Sequence, residues 1–399
     1  MNDATEDVQP LAGIRVLDFT QVMLGPSATQ LLSDHGAEVI KVERPSAGDL
    51  SRSAMGEAAG PDNPVFSSLN RNKRSITVDM RSEAGAQIIR ELIAKSDVLV
   101  HNFRPGAMER RGLGYEDVRE INPRLIYAVG SGFGPTGPYE HKGGQDALAQ
   151  ALTGVMERRA DGKHPLAIYA TTFADYCAGM HLVQGVLLAL RARDVTGEGQ
   201  RVDSSLFNSL LAMQMQEATA HLMTGKILNW AAYPLSGVFE ATDGAFVLVG
   251  AFKPNPLRDI CEALEIEDLS QDERYATFDG QMAHREELQE IFREGFAGNT
   301  VEHWLGRLED QDLLCAPVQT LGEALEDPQT KHNGMVIEIP RDDEETLRTV
   351  ASPIMMSATP AREPVAPPKL GQHTAAILSE VLGMEQASIE ELDAKGVLG

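Results

Sequence analysis

Ile14-Arg-Val-Leu-Asp-Phe19, the Gly25-Pro26 pair, Ala28-Thr-Gln-Leu-Leu-Ser33 and Ala37-Glu-Val-Ile-Lys-Val-Glu43 decide the fold. The first and last stretches are short apolar runs of strand length. The third has helical spacing, and Gly25-Pro26 reads as a break in the chain ahead of it. Strand, helix and strand in so short a span make a β-α-β unit, the seed of a doubly wound sheet.

The alternation continues downstream. Ser75 to Asp79 reads as a short strand, and Glu83 to Lys95 as an amphipathic helix with Ile88, Ile89, Leu92 and Ile93 on one face. Asp97 to His101 and Arg124 to Gly130 are further strands, so the N-terminal half predicts a mostly parallel sheet. A glycine-rich connection, Gly130 to Gly144, precedes a long apolar helix at Asp175 to Arg193, about 19 residues by its pattern. A turn at Val195 to Gly199 and a strand at Gln200 to Asp203 lead to another helix at Ser204 to Met223. Near Pro234 the character changes. Gly237 to Phe239 and Phe246 to Gly250 flank Thr242-Asp243-Gly244 as a hairpin, and short helices follow at Leu257 to Leu264, Arg285 to Phe296 and Val301 to Asp310. The fold class expected is α/β: a Rossmann-like large domain, residues 1–224, with a smaller α+β domain at 225–330 and a C-terminal segment, 331–399. That last segment holds a proline-rich connector, Pro360 to Pro368, and a closing helix, Thr374 to Leu382.

Composition narrows the function. The 399 residues carry 35 Lys+Arg against 59 Asp+Glu, a formal charge of −24. Such a chain repels phosphate backbones and anionic lipid, which argues against nucleic-acid and membrane partners. A phosphorylated ligand would need a few cations gathered locally. Cys177, Cys261 and Cys315 are far apart and form no CxxC pair, and the ten histidines show no metal-ligand spacing. These features predict a cytoplasmic protein without disulfides or metal. The longest apolar stretch, within Cys177 to Leu190, reads as too short for a bilayer. Gly132-Phe-Gly-Pro-Thr-Gly137 matches GxGxxG, but Pro135 and Pro138 forbid the helix that would hold a pyrophosphate, so it reads as a loop bounding a site.

One ordered set of motifs goes further: Leu11-Ala-Gly-Ile-Arg-Val-Leu-Asp-Phe19 with Leu24-Gly-Pro26, Gly36-Ala-Glu-Val-Ile-Lys-Val-Glu43, Asn72-Lys-Arg-Ser75 and Asp79. Asn102-Phe-Arg-Pro-Gly-Ala107 with Arg110 and Gly112-Leu-Gly114, the 132–138 loop, and Gly197-Glu-Gly-Gln-Arg-Val202 complete it. In this combination the chain resembles the class III CoA-transferases of CaiB/BaiF type. That family includes formyl-CoA transferase, carnitine CoA-transferase and alpha-methylacyl-CoA racemase. The resemblance implies a two-domain protomer whose C-terminal segment returns to the large domain, and a homodimer interlocked like chain links. It implies coenzyme A and acyl-CoA as substrates, with no permanently bound cofactor.

It also implies site residues. Asp175, in Thr171-Thr-Phe-Ala-Asp175, takes the place of the family's carboxylate nucleophile. A helix N-terminus should keep it ionised, and an ionised carboxylate can attack a thioester. The competing reading is a helix-capping aspartate. Arg44 matches a position near the adenine, and Arg81, Arg110 and Lys142 match positions near the phosphates, where arginine's forked donors suit the ligand. Val22, Val78, Met80, Asn102 and Phe103 match the nucleotide pocket. The racemase branch has a histidine where this chain has Gln145, beside Asp146. Glutamine cannot take a proton, which favours transfer over the alternative of racemisation at the α-carbon. Gln145, Asp146 and Gly237, the last in a turn of the small domain, are substrate-site candidates, and for Asp146 a structural hydrogen-bonding role stands equally beside that of orienting the acceptor. The chain lacks the tetraglycine loop of the formyl-CoA branch, so the expected donor is succinyl-CoA or another small acyl-CoA.

Overall fold

The computed structural model describes residues 9–54, 63–159, 165–341 and 345–399. These residues fall into two units. One holds the first 155 residues, 168–214 and 332–399; the other holds 156–167 and 215–331.

The first unit is built on β1 (Arg15–Asp18), α1 (Leu24–Asp34), β2 (Glu38–Glu43), α2 (Pro64–Ser67), β3 (Arg74–Thr77), α3 (Glu83–Ala94), β4 (Val98–His101), α4 (Tyr115–Ile121), β5 (Ile126–Ser131), α5 (Asp146–Leu152), α6 (Phe173–Thr196), β6 (Arg201–Ser205) and α7 (Leu206–Met213). All six strands are parallel, in the order β3-β2-β1-β4-β5-β6. This is a doubly wound sheet with its order reversing between β1 and β4, the place where such sheets open a crevice at the carboxyl ends of their strands. The period-2 alternation of each strand feeds two cores. Val16, Val39, Val98 and Ile126 face α1, α6 and α7; Leu17, Ile40, Leu99 and Tyr127 face α3 and α4. The second core is closed by the end of the chain, since Ile377, Leu378, Ile389, Val397 and Leu398 pack into it.

Four sequence expectations need correction. Gly25-Pro26 does not break the chain. It lies in the first turn of α1, where proline's missing N–H is one that has no intrahelical partner anyway. The long helix α6 starts at Phe173 and runs to Thr196, stopped by Gly197 at φ +78°. Asp175 is therefore third in the helix and does not begin it. By length and composition α6 could cross a membrane, contrary to the reading of a short apolar stretch. Its Ala174, Ala178, Leu182, Val183 and Val186 are instead packed into the core against α1 and the sheet. Finally, the single helix expected at 204–223 is interrupted. Ser205 ends β6, its side-chain oxygen accepting the Asn208 N–H at 3.2 Å, and α7 stops at Met213.

The second unit begins with α8 (Met215–Thr224). An antiparallel sheet follows, of β7 (Ser236–Glu240), β8 (Ala245–Val249) and β9 (Leu314–Pro317) in that order. The 242–244 hairpin joins β7 to β8 with Glu240 opposite Ala245. Around the sheet lie α9 (Pro256–Leu264), α10 (Phe278–Ala283), α11 (Arg285–Phe296), α12 (Val301–Asp310), α13 (Leu321–Glu326) and α14 (Pro328–His332). Its core is aromatic, with Phe239, Phe246, Phe292 and Phe296 in mutual contact. Back in the first unit are a hairpin of β10 (Val336–Pro340) and β11 (Thr346–Val350), then α15 (Thr374–Leu382) and α16 (Gln386–Ala394).

Candidate active site

The carboxyl ends of the first unit's strands carry the loops that matter. After β1 the chain passes through Thr20 to Met23 before α1. This stretch is over-determined. The Thr20 carbonyl accepts from Lys41 Nζ at 2.9 Å. The Gln21 N–H donates to Asn102 Oδ1 at 2.8 Å, and the Asn102 amide returns a bond to the Gln21 carbonyl at 2.8 Å. The Val22 N–H donates to Asp49 Oδ1 at 3.1 Å. Val22 is held at φ +66°, a left-handed conformation that a β-branched residue adopts only under constraint. Beneath it, Lys41 and Asp49 form a fully buried ion pair at 2.8 Å.

Beside this loop opens a cavity of about 280 Å³ lined by Thr20, Gln21, Arg44, Met80, Phe103 and Arg111, among others. Of the pocket residues expected from sequence, Arg44, Met80 and Phe103 line it. Asn102 holds its loop, and Val22 is at the exposed turn beside it. Val78 is fully buried in the core. Arg81 turns back on its own Asp79, at 2.8 and 3.0 Å. Arg110 folds toward Gly106, where an added Cβ would stand 2.8 Å from its guanidinium. The neighbouring Arg111 contributes the cation to the cavity wall instead. Sequence reading missed Arg111; the consecutive Arg110-Arg111 pair carried the signal, but only the short helical turn at 109–111 chooses which one faces in.

The same loop reaches α6. Met23 Sδ accepts from the hydroxyl of Thr172, the residue just before α6, at 2.7 Å. Thr172 is three residues ahead of Asp175. Thr172 makes no side-chain cap for α6, and neither does Asp175. That task falls to Asp146, from α5. One of its oxygens accepts the backbone N–H groups of Ala174 at 2.8 Å and Asp175 at 3.1 Å. The other accepts from Gln150, whose carbonyl oxygen in turn accepts the Tyr169 N–H at 3.0 Å. Asp146 is buried, and its negative charge sits at the positive end of α6.

Asp175 is left half-buried, with no hydrogen-bond or ion-pair partner for its carboxylate among the described residues. Burial, and behind it the charge of Asp146, push its pKa up from 3.8 to about 6. The expectation that the helix N-terminus simply keeps it ionised is thus corrected: Asp146 already occupies that positive end, and desolvation dominates. At pH 7 about nine-tenths of Asp175 is still ionised. The result is a carboxylate that is charged, unsatisfied and more basic than usual, which is what a nucleophile needs.

Asp146 arrives there because the glycine-rich connection folds back on itself. Gly132 and Gly144 cross so closely that a Cβ on Gly132 would lie 2.5 Å from the Gly144 Cα. No helix follows Gly137 directly, in keeping with the rejection of a dinucleotide loop. Lys142 lies over the Tyr139 ring at 4.8 Å, within this loop. Arg104, which sequence reading passed over although it belongs to the 102–107 motif, comes within 3.2 Å of where a Gly143 Cβ would be. Gln145 is exposed ahead of α5. Gly237 is not in a turn: it pairs with Leu248 inside β7, in the second unit, and a Cβ there would stand 2.9 Å from Gln289 Oε1. Among the described residues no group of three His, Cys, Asp or Glu side chains is placed to hold a metal ion.

Known proteins are similar to this chain in sequence and fold. Residues 11–374 match the model of CoA-transferase family III. The succinyl-CoA:glutarate CoA-transferase of Mus musculus is 34% identical over 398 residues, covering 98% of this chain and 91% of the mouse protein. The succinate–glutarate CoA-transferase of Agrobacterium fabrum is 32% identical, covering 97% and 100%. The crystal structure of a CaiB/BaiF family protein from Brucella suis superposes with a TM-score of 0.83 at 32% identity, covering 94% of this chain and 99% of that one. The chain belongs to CoA-transferase family III.

Proposed function

We propose that the protein transfers coenzyme A from an acyl-CoA thioester to a free carboxylic acid, with Asp175 as nucleophile. The observation that carries this reading is the unpartnered, half-buried Asp175 carboxylate in the first turn of α6, tied through Thr172 and Met23 to the loop lining the Arg44–Phe103 cavity. That cavity has the scale of a nucleotide base, and Arg44 and Arg111 on its wall suit a phosphorylated ligand.

The steps balance without a resident cofactor or metal. An Asp175 oxygen attacks the thioester carbonyl, the C–S bond breaks, and a mixed anhydride and CoA thiolate result. The thiolate attacks the aspartyl carbonyl, releases the donor acid as carboxylate and leaves an aspartyl-CoA thioester. The acceptor carboxylate then attacks that thioester, expelling thiolate and forming a second anhydride. Thiolate attack on the acceptor's carbonyl yields the new acyl-CoA and free Asp175. Gln145 offers no second base, so transfer is favoured over racemisation. Succinyl-CoA or another small acyl-CoA is the proposed donor, in line with the names of the mouse and Agrobacterium relatives. The remaining elements are a homodimer of interlocked protomers in the cytoplasm and candidate phosphate contacts from Arg81, Arg110 and Lys142.

The test is chemical trapping. Incubation with succinyl-CoA and hydroxylamine should inactivate the enzyme and leave a hydroxamate on the peptide containing Asp175. Asp175→Ala should lose transfer while CoA affinity stays within about tenfold. An unmodified Asp175 peptide in the inactivated enzyme, or wild-type turnover in the alanine variant, rejects the mechanism.

A further inference from the structure

We infer that a second cavity, of about 420 Å³ between the start of β3 and the proline-rich connector, binds a small phosphate-bearing metabolite through Arg362, Lys369 and His373. This inference does not depend on the proposed transfer reaction.

The charge pattern is the first argument. In a chain of net charge −24, the lining of this cavity includes Arg74, Arg341, Arg362, Lys369 and His373, and among the described residues no carboxylate. Some of that charge is already committed. Arg74 binds Glu38 at 2.9 Å and Glu380 at 2.7 Å, Arg341 is paired with Glu345 at 3.9 Å, and Lys73, also in the lining, is fully buried against Asp18 at 3.0 Å. Three donors are left over. Arg362 is half-buried and spends one nitrogen on the Asn72 carbonyl at 3.0 Å, with no carboxylate bound to it. Burial pulls its pKa below the usual arginine value, the sign of a desolvated cation that lacks full compensation. The Lys369 ammonium has no partner among the described residues, although its backbone N–H is fixed by Gln372 Oε1 at 2.8 Å. His373 accepts the Ser75 N–H on Nδ1 at 3.2 Å. Its neutral ring therefore carries the proton on Nε2, where it can donate.

Geometry is the second argument. His373 caps the nine-residue helix α15 without a side-chain bond to it, so the partial positive charge of that helix end adds to the site. The wall is pre-formed. Asn72, at φ +65°, exchanges two hydrogen bonds with Val365, at 2.7 and 3.0 Å, locking the connector to the strand. Phosphate oxygens are strong acceptors that match an arginine fork and an N–H donor. The volume exceeds one phosphate, and Pro340, Pro364, Val365 and Pro367 supply an apolar wall for an organic body. The cavity is also distinct from the one at Arg44. It sits before the first residue of β3, whereas Met80 and Arg44 lie beyond the other ends of β3 and β2, and a four-residue strand spans roughly 13 Å.

The test is calorimetric titration of the full-length protein, saturated with CoA to fill the other anion site, with inorganic phosphate, glycerol 3-phosphate and succinate. Saturable binding of glycerol 3-phosphate is expected, weakened roughly tenfold in Lys369→Gln and again in His373→Ala, with CoA affinity unchanged in both. Lys369 is exposed, so its variant folds whatever the role of the site. Tighter binding of phosphate than of its ester would identify free phosphate as the occupant, and the reverse a phosphomonoester; both support the site. No saturable binding, equal binding of succinate, or wild-type affinity in Lys369→Gln would each overturn it.

Discussion

Asp175→Asn should make the protein more stable and inactive at once. The substitution is isosteric and breaks no hydrogen bond, since the carboxylate makes none among the described residues. Its effect is electrical. The folded pKa, about 6, lies above the ordinary 3.8, so the native state binds the Asp175 proton more tightly than the unfolded chain does. Below pH 3.8 both states are protonated and the charge has no cost. As pH rises from there to 6, the unfolded chain ionises freely while the native state resists, and stability falls. A difference of about two pKa units corresponds to roughly 3 kcal/mol of destabilisation at pH 7, an upper bound because the side chain is partly solvated. Asn removes that cost, so its gain should be about 1 to 3 kcal/mol at pH 7 and close to nil at pH 4. Thermal or urea unfolding of wild type and variant at both pH values measures it, alongside transfer activity. Equal stability at pH 7, a gain that persists at pH 4, or retained turnover would refute the account of Asp175 as a charge kept unsatisfied for chemistry.

Asp146→Asn should lower the acid limb of the transfer pH profile by less than about one pH unit, because burial and not Asp146 is the larger cause of the raised Asp175 pKa. It should also cost about 1 to 3 kcal/mol of stability, since one new N–H2 must face either the α6 N–H groups or Gln150. Lys41→Met should cost roughly 3 to 5 kcal/mol by stranding the buried Asp49 carboxylate, read by denaturant unfolding. Gly132→Ala should collapse transfer more than stability, because its Cβ would strike the Gly144 backbone 2.5 Å away and shift Asp146; circular dichroism and kinetics together separate the two effects.

Much of the first unit was legible from local pattern. The short apolar runs at 14–19, 37–43 and 97–101 read as strands, and Ile88, Ile89, Leu92 and Ile93 as one face of a helix, because side-chain period is a local property of the chain. Asp175 stood out only through its match to the family's nucleophile position; its local pattern favoured a helix-capping aspartate. Its company did not stand out. Nothing in the order of residues says that Asp146, 29 positions earlier, caps α6 in place of Thr172, or that Arg111 and not Arg110 lines the cavity.

The sequence by itself determined the parallel α/β sheet and the helix that carries Asp175 through short-range periodicity, and the motif set through its resemblance to the family. Only the tertiary structure decided where the described chain divides into two units, and that Asp175 is desolvated beside a second acid. Burial, hydrogen-bond partners and pKa depend on which distant segments pack together. The close crossing of Gly132 and Gly144 is one such long-range contact that no local pattern records.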